Sequence, residues 1–304
     1  MNVVSQIEMG PFPVRTALLV GGDSEIEAQL RNSLDPKAWA IQHVADNSAA
    51  LALAQRKGFD LIVTSDKTTG KEDVELLRKL RGIRPHTRFI ILTDQGTPND
   101  VITSMRAHAF SYFSKPFAMD ALAFMIQHAI EDPSWDDGID VISATPEWIR
   151  IFARCDFKTA DRVVQFFDEI ADLPDPERGA VGMAFREMLI NAIEHGGNLD
   201  PNQQVEISYV RARHMVKCRI SDPGEGFTLD EIPHSAIANP VDDPVRHLDY
   251  REEHGMRPGG FGVMLAQGLV DELVYNEQGN EVVLIKYLDL VPESPESRNV
   301  DDAA

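Results

Sequence analysis

Between Thr16 and Ile130, five short apolar runs alternate with amphipathic stretches, and this alternation restricts the fold more than any other feature of the chain. Strands separated by helices of this length predict a parallel sheet with helices on both faces. The predicted strands are TALLV (16–20), AIQHV (40–44), LIVTS (61–65), RFIILT (88–93) and SYFS (111–114). Helices are expected to begin near Ser24, Asn47, Lys71, Pro98 and Met119. We therefore expect an α/β domain over residues 14–130.

The composition changes at residues 131–140, EDPSWDDGID, which predicts a linker between two domains. Beyond it we predict a strand in WIRIFARCDF, helices at 159–171 and 177–195, a hairpin of QVEISYV and MVKCRIS, an irregular segment at 223–258, a helix at 261–272 and a last strand, EVVLIKYL. This pattern predicts an α+β domain over residues 141–290, with helices on one face of a mixed sheet. Residues 291–304 are expected to form a disordered tail.

The chain is acidic, with 29 Lys and Arg residues against 49 Asp and Glu residues and a formal net charge of −20. This charge repels a phosphate backbone or an anionic membrane at long range, and the sequence has no separate basic patch. No apolar run approaches the ~20 residues of a membrane span. Two cysteines, Cys155 and Cys218, cannot form a disulfide framework. We expect a cytoplasmic protein that binds neither nucleic acid nor membrane.

The loops that follow the first-domain strands carry LLVGGDS after the first, Thr93 at the end of the fourth and SKPF after the fifth. With the five βα units, they resemble the receiver domains of two-component response regulators, a flavodoxin-like fold. In that family, two acids after the first strand hold Mg²⁺, an aspartate after the third accepts the phosphoryl group, and a Thr or Ser and a Lys sense it. The resemblance assigns the sensing roles to Thr93 and Lys115.

The other receiver positions do not match. Alignment by the strand ends puts Gly21 and Gly22 where the acid pair belongs and Ser65 where the acceptor belongs. Glycine has no oxygen for Mg²⁺. We therefore expect a degenerate receiver that serves docking or dimerisation. Asp23 and Asp66 each lie one residue after the position that the family's acid occupies, and a phosphorylation site shifted onto them is an alternative. Lys115 could likewise be an ordinary surface lysine.

Three segments of the second domain carry candidate chemistry. FREMLINAIEHGG places Glu187 and Asn191 four residues apart on one helical face, where an amide oxygen can bind Mg²⁺ and a carboxylate can accept a proton. DPGEGF places Asp222 at a strand end, able to accept a hydrogen bond from the amine of adenine. RPGGFG leads into a helix and leaves backbone N–H groups free for phosphate. Singly, each segment has an ordinary structural explanation as a solvated face, a turn or a loop.

In this order and at these intervals, the three segments resemble the nucleotide-binding boxes of the GHKL ATPase superfamily, whose domain is a Bergerat-type sandwich. INAIEHG is most similar to the anti-sigma-factor serine kinases. The resemblance implies ATP and Mg²⁺ as cofactors, Asn191 as the Mg²⁺ ligand, Glu187 as the general base and Asp222 as the adenine acceptor. It implies nucleotide contacts by Gly224, Gly226, Gly260 and Gly262, and a phosphate lid at 228–258.

Positive charge near this lid would neutralise the phosphates, and the candidates are Arg251, His254 and Arg257. The lid is longer and more acidic than this branch leads us to expect, which weakens the case for kinase activity more than the case for nucleotide binding.

The leading hypothesis is an ATP-dependent protein serine/threonine kinase in bacterial partner switching, controlled by the receiver-like domain. Its protein partner would be an anti-sigma-factor antagonist or a sigma factor, and a homodimer is compatible with the sequence. The alternative is a non-catalytic, ATP-gated protein that sequesters such a partner. A histidine kinase ranks third, because its one candidate acceptor, His128, lies in the last receiver-like helix and is followed by Ala.

Overall fold

The computed structural model describes residues 14–22, 24–65, 67–131, 138–171, 173–227, 235–236, 243, 245–254 and 260–288. Five parallel strands form the first sheet, in the order β2-β1-β3-β4-β5. They are β1 Arg15–Val20, β2 Trp39–Val44, β3 Leu61–Val63, β4 Arg88–Thr93 and β5 Ser111–Ser114. The helices between and after them are α1 Ser24–Ser33, α2 Asn47–Arg56, α3 Gly70–Ile83, α4 Pro98–Arg106 and α5 Met119–Glu131. The predicted parallel α/β fold is confirmed.

The central strands of this sheet are apolar without alternation because helices cover both of their faces. Ala17, Leu18, Leu19 and Val20 are all fully buried. Their side chains divide between two hydrophobic clusters, one on each side of the sheet. This packing fixes the carboxyl ends of β1, β3, β4 and β5 at one edge, where the receiver-like loops lie.

Six strands form the second sheet, in the order β10-β11-β9-β8-β7-β6. They are β6 Ile139–Thr145, β7 Trp148–Arg154, β8 Gln204–Ala212, β9 Met215–Ser221, β10 Glu272–Tyr275 and β11 Glu281–Tyr287. Every pairing in this sheet is antiparallel, so the predicted mixed sheet is wrong, while the predicted α+β class is confirmed.

The strands of the second sheet alternate between a buried face and a charged face. Ile151, Ile207 and Cys218 point into the core. On the other face, Glu206 accepts from Arg150 Nε at 2.8 Å and from Arg219 Nη1 at 3.2 Å, and Arg219 Nη2 reaches Glu281 at 2.6 Å. These pairs join β7, β8, β9 and β11.

The helices of the second domain are α6 Phe157–Ile170, α7 Asp175–Asn191, α8 Arg246–Glu253 and α9 Gly262–Leu269. A single π-helical turn, Ala192–Gly196, continues α7. Four predictions need correction. The 177–195 helix is α-helical only to Asn191, α9 ends before 272, α8 lies inside the segment predicted to be irregular, and β6 and β10 were not predicted as strands.

No helix within the described ranges is long and apolar enough to cross a membrane. Cys155 and Cys218 are free and buried. Burial raises the pKa of the Cys155 thiol to about 11, so this thiol stays protonated and unreactive at neutral pH.

Candidate functional site

A cavity of about 500 Å³ opens between α7, the loop after β9, the start of α9 and the β10–β11 turn. It brings together seven residues that the sequence assigned to nucleotide binding: Glu187, Asn191, Asp222, Gly224, Gly226, Gly260 and Gly262. They come from three segments far apart in the chain. One cavity of a size suited to a small ligand therefore collects the three motifs.

Glu187 and Asn191 face the first turn of α9. A Cβ at Gly262 would lie 2.7 Å from Glu187 Oε2 and 3.6 Å from Asn191 Nδ2. Any larger residue at position 262 would therefore displace the glutamate. The N-terminal turn of α9 carries free backbone N–H groups, so its approach to α7 places anion donors beside a carboxylate and an amide.

The end of α7 widens into the π-helical turn, which carries Glu194 and His195 into the cavity lining. Single π turns commonly occur at functional sites. Gly196, at the end of this turn, lies so close to Asp222 that a Cβ on it would overlap the carboxyl group. The turn therefore determines how near α7 comes to the candidate adenine acceptor.

Asp222 is fixed by two backbone contacts. Its N–H donates to Asn280 O at 2.9 Å, and its Oδ1 accepts from Gly224 N–H at 2.9 Å. Burial raises the pKa of Asp222 above its usual value, and the Gly224 hydrogen bond opposes that rise. One carboxylate oxygen is thus held by the loop, and the carboxyl group borders the cavity.

The turn between β10 and β11 packs against the loop that carries Gly224 and Gly226. Gly226 and Gly279 have φ of +83° and +80°, and a Cβ on either would overlap a carbonyl oxygen, that of Gln278 or that of Phe227. Asn280 Nδ2 donates to Gly224 O at 3.3 Å. Sequence analysis missed Gly279 and Asn280, although a Gly-Asn pair between two strand-like runs is a recognisable turn.

An aromatic pair forms one wall of the cavity and was also missed. The rings of Phe227 and Tyr275 meet edge to face, with centroids 5.1 Å apart. Tyr275 Oη contacts Met188 Sδ at 3.3 Å. Burial, with the nearby charge of Asp222, raises the pKa of Tyr275 to about 12, so the phenol stays neutral beside an apolar wall.

The predicted lid is described only in part. Arg257 and Gly259 lie outside the described residues, and so does the side chain of Arg251. His254 is exposed, stacks on Tyr250 at 4.0 Å and has its Nδ1 2.8 Å from Tyr250 O. Ala236 N donates to Gly260 O at 2.8 Å, which ties the lid to the entrance of α9.

The receiver-like end of the first sheet carries no carboxylate among its described residues after β1 and β3. Ser65 is fully buried, and a Cβ on Gly21 would overlap its Oγ. Lys67 Nζ donates to Gly22 O at 2.8 Å. Thr93 is buried, and Lys115 Nζ lies 3.6 Å from Asp94 Oδ1. Asp23 and Asp66, the residues of the alternative site, lie outside the described residues.

Comparison with protein families matches both halves of the chain. Residues 17–127 match the response regulator receiver domain, and residues 154–286 match the histidine kinase-like ATPase domain. The chain therefore contains a receiver domain followed by a histidine kinase-like ATPase domain. The predicted family membership of both domains is confirmed.

Individual relatives match one domain each. Serine-protein kinase RsbW of Oceanobacillus iheyensis is 26% identical over 148 residues, which are 48% of this chain and 84% of RsbW. The C4-dicarboxylate transport transcriptional regulatory protein DctD of Pseudomonas aeruginosa is 31% identical over 123 residues, 40% of this chain and only 26% of DctD. A response regulator structure from Thermotoga maritima is 23% identical with a TM-score of 0.34, covering 39% of this chain and 99% of that one.

Proposed function

We propose that this protein is an ATP-dependent protein serine/threonine kinase of the anti-sigma-factor type, acting in bacterial partner switching. The observation that carries the proposal is the gathering of Glu187, Asn191, Asp222 and the glycines around one cavity. The similarity of the ATPase domain to a serine-protein kinase supports the choice of reaction. Its protein substrate would be an anti-sigma-factor antagonist, and a sigma factor is the second partner class.

The cavity suggests a role for each side chain. Asp222 accepts a hydrogen bond from the exocyclic amine of adenine, which guanine lacks at that position. Backbone N–H groups near Gly260 and Gly262 bind phosphate oxygens at the start of α9. Phe227 and Tyr275 exclude water from one side of the base.

The phosphate end of the cavity fits a metal–nucleotide complex. Asn191 offers a neutral amide oxygen, the type of ligand that Mg²⁺ accepts beside phosphates. The ion would neutralise charge on the transferring phosphoryl group. Glu187, four residues earlier on the same helix, would take the proton from the attacking hydroxyl of the substrate serine or threonine.

The first test is thermal unfolding of the wild type with ATP, GTP and Mg²⁺. A ligand at a hundredfold excess over its dissociation constant stabilises by about 2.7 kcal/mol, which a melting curve resolves. We expect Mg-ATP, and not GTP, to raise the midpoint, and Asp222→Asn to abolish the rise. Asp140→Asn, an exposed aspartate on β6, is the matched control and keeps it. No shift in the wild type would refute nucleotide binding.

The second test is phosphoryl transfer from labelled ATP to purified single-domain antagonist proteins. We expect one of them to be labelled on Ser or Thr, with the label lost in Glu187→Ala and retained in Glu75→Ala, an exposed glutamate on α3. ATP that binds but stays intact in the presence of a tightly bound antagonist would reject the kinase and favour the non-catalytic, ATP-gated alternative. Label on His128 would favour a histidine kinase.

A further inference from the structure

Helix α6 of the ATPase domain lies along β5, the edge strand of the receiver sheet. Arg162 Nε donates to Phe110 O at 2.8 Å, and Gln165 Nε2 donates to Tyr112 O at 3.1 Å. Ser114 N–H donates to Glu169 Oε2 at 3.1 Å, and the Ser114 hydroxyl donates to the same oxygen. Side chains of α6 therefore satisfy backbone groups that an edge strand leaves unpaired.

The spacing of these contacts matches the geometry of the two elements. Positions 162, 165 and 169 lie on one helical face and span about 10 Å along the axis, at 1.5 Å per residue. Positions 110, 112 and 114 span about 13 Å along the strand, at 3.3 Å per residue. The helix and the strand run in the same direction, so successive side chains reach successive backbone groups.

The Arg162 side chain is buried in this contact, with only 3% of its surface exposed. Its guanidinium lies 4.5 Å from the centre of the Phe110 ring and 3.4 Å from Ala109 O. A buried guanidinium that lost these partners would leave its charge and two carbonyl groups without compensation, which is strongly unfavourable in a protein interior. Separation of the two domains at this point is therefore strongly opposed.

The receiver domain also contacts the second sheet, at its edge strand. This strand, β6, accepts a hydrogen bond at Ala144 O from Arg106 Nη2 of α4, at 3.0 Å. One hydrophobic cluster contains residues of both domains, among them Tyr112 and Met105 with Val163 and Phe166. Each domain thus protects the exposed edge of the other, and their cores are continuous.

The same helix packs on α7, which carries Glu187 and Asn191. The rings of Phe167 and Phe185 stack with centroids 4.2 Å apart. A Cβ at Gly182 would lie 2.8 Å from Asp168 Oδ1, so the two helices approach closely at this turn. A change in the position of α6 therefore reaches the helix that borders the nucleotide cavity.

We propose that the receiver domain is an obligate internal partner of the ATPase domain, and that its β5 edge holds α6, and through it α7, in the arrangement that binds nucleotide. The two domains then unfold as one cooperative unit, and nucleotide binding stabilises both. The nucleotide part of this inference rests on the proposed function, whereas the cooperative unfolding does not.

The test is urea unfolding of the full chain, read by pulsed hydrogen–deuterium exchange in peptides from β4–β5 and from β8–β9. In the wild type, we expect one midpoint for both sets of peptides. In Arg162→Met, which removes the donors to the two carbonyl groups just before β5 and keeps an apolar stem, we expect two separate midpoints. Arg150→Met, which removes an arginine from the outer face of the second sheet, is the matched control and keeps a single midpoint.

Gln165→Ala is the milder variant if Arg162→Met does not fold, and it should separate the midpoints to a smaller extent. Separate midpoints in the wild type would overturn the proposal, and so would a single midpoint in both α6 variants. These outcomes are independent of nucleotide.

The second part of the experiment repeats the urea unfolding with Mg-ATP present and follows the same peptides. We expect ATP to raise the midpoint of the β4–β5 peptides in the wild type, and the affinity for ATP to fall by about fivefold or more in the α6 variants, the lower end of typical coupling between sites. Full affinity in a variant whose domains unfold separately would overturn the proposal. If ATP shifts neither domain in the wild type, ATP binding is refuted while the unfolding arm still decides the domain coupling.

Discussion

Two glycines beside the cavity, each packed against the other's loop, illustrate how single residues shape this site. Gly226 and Gly279 each have a positive φ, and each lies against a carbonyl of the other's loop. A side chain at either position would force two backbones apart, whereas Gly179 and Gly268 have no atom within 4 Å of a built Cβ.

Gly226→Ala should therefore impair both stability and nucleotide binding. The left-handed conformation costs an alanine about 1–2 kcal/mol, and the overlap with Gln278 O adds to this. We expect a lower free energy of unfolding in urea and weaker ATP binding by calorimetry. Wild-type affinity in this variant would show that the loop does not hold the base.

Gly268→Ala is a control for which we expect the opposite change in stability. Gly268 lies in α9, is exposed and has no atom within 4 Å of a built Cβ. Alanine there should stabilise the protein by about 0.5–1 kcal/mol, because it lowers the backbone entropy of the unfolded chain. Loss of stability in this variant would contradict the open space around that position.

Asp73 gives a pH-dependent prediction at the same scale. It is fully buried on α3, where Asn47 Nδ2 donates to it at 2.7 Å and Thr68 Oγ1 at 3.0 Å. Burial raises its pKa from 3.8 to about 6. Relative to the unfolded chain, this group therefore contributes stability that is fully present below pH 3.8 and lost as the pH rises through about 6.

Asp73→Asn should remove that pH dependence. At about 1.4 kcal/mol per pKa unit, the variant should gain up to about 3 kcal/mol over the wild type at pH 8, and the gain should vanish in acid. Urea unfolding at both pH values measures it. Asp35→Asn, at an exposed position, serves as the control and should show no such gain. An equal effect of Asp73→Asn at both pH values would contradict the assignment.

At the scale of the element, capping boxes define the first residue of two helices of the receiver domain, α3 and α4. Thr69 and Glu72 satisfy each other's backbone N–H groups at the start of α3, and Thr97 and Asp100 do the same at α4. Such reciprocal bonds begin a helix at a defined residue. The starts predicted from the sequence, near Lys71 and Pro98, lie within one residue of those observed.

Thr69→Ala should cost about 1 kcal/mol, the usual value for the loss of an N-cap side chain. The measurement is the urea midpoint, and Thr69→Ser is the matched variant because it keeps the accepting hydroxyl. Equal loss in the serine and alanine variants would show that the methyl group, and not the cap, stabilises the helix.

The elements that sequence analysis missed lack such signals. In β6, only Ile139 and Ala144 are buried, so its pattern resembles a linker. β10 has only four residues and begins shortly after α9, and α8 is short and mostly polar. Each depends on neighbours distant in the chain, which local periodicity does not report. The strongly apolar strands β1 and β4 were, in contrast, predicted almost to the residue.

At the scale of the whole molecule, the net charge of −20 acts against folding because like charges repel in the compact state. We expect the melting temperature to rise from low ionic strength to about 0.15 M salt, where the screening length is about 8 Å. NaCl and KCl should act equally, since the effect is one of screening. A fall in melting temperature would mean that the ion pairs of the second sheet dominate.

The gathering of the three motifs around one cavity follows from signals that are local in the sequence, each within a few residues. Asp222, Asn191 and Gly262 were identified in this way. Tyr275, which lines the cavity, and Asn280, which contacts the loop of Asp222 and Gly224, were not identified, because sheet pairing between β9, β10 and β11 brings them there. Contacts between the domains, such as Arg162 with Phe110, were likewise invisible to local patterns.

The close approach of Gly21 to Ser65 limits which side chains these two positions of the receiver domain can carry. Gly21 has a φ of +90°, and any side chain there would overlap the Ser65 hydroxyl. An acid at position 21 requires a smaller neighbour, while an aspartate at position 65 enlarges that neighbour. Positions 21 and 65 are therefore coupled, because a side chain at position 21 and a larger side chain at position 65 would occupy the same space. A double substitution at these positions should consequently show a strongly non-additive effect on stability.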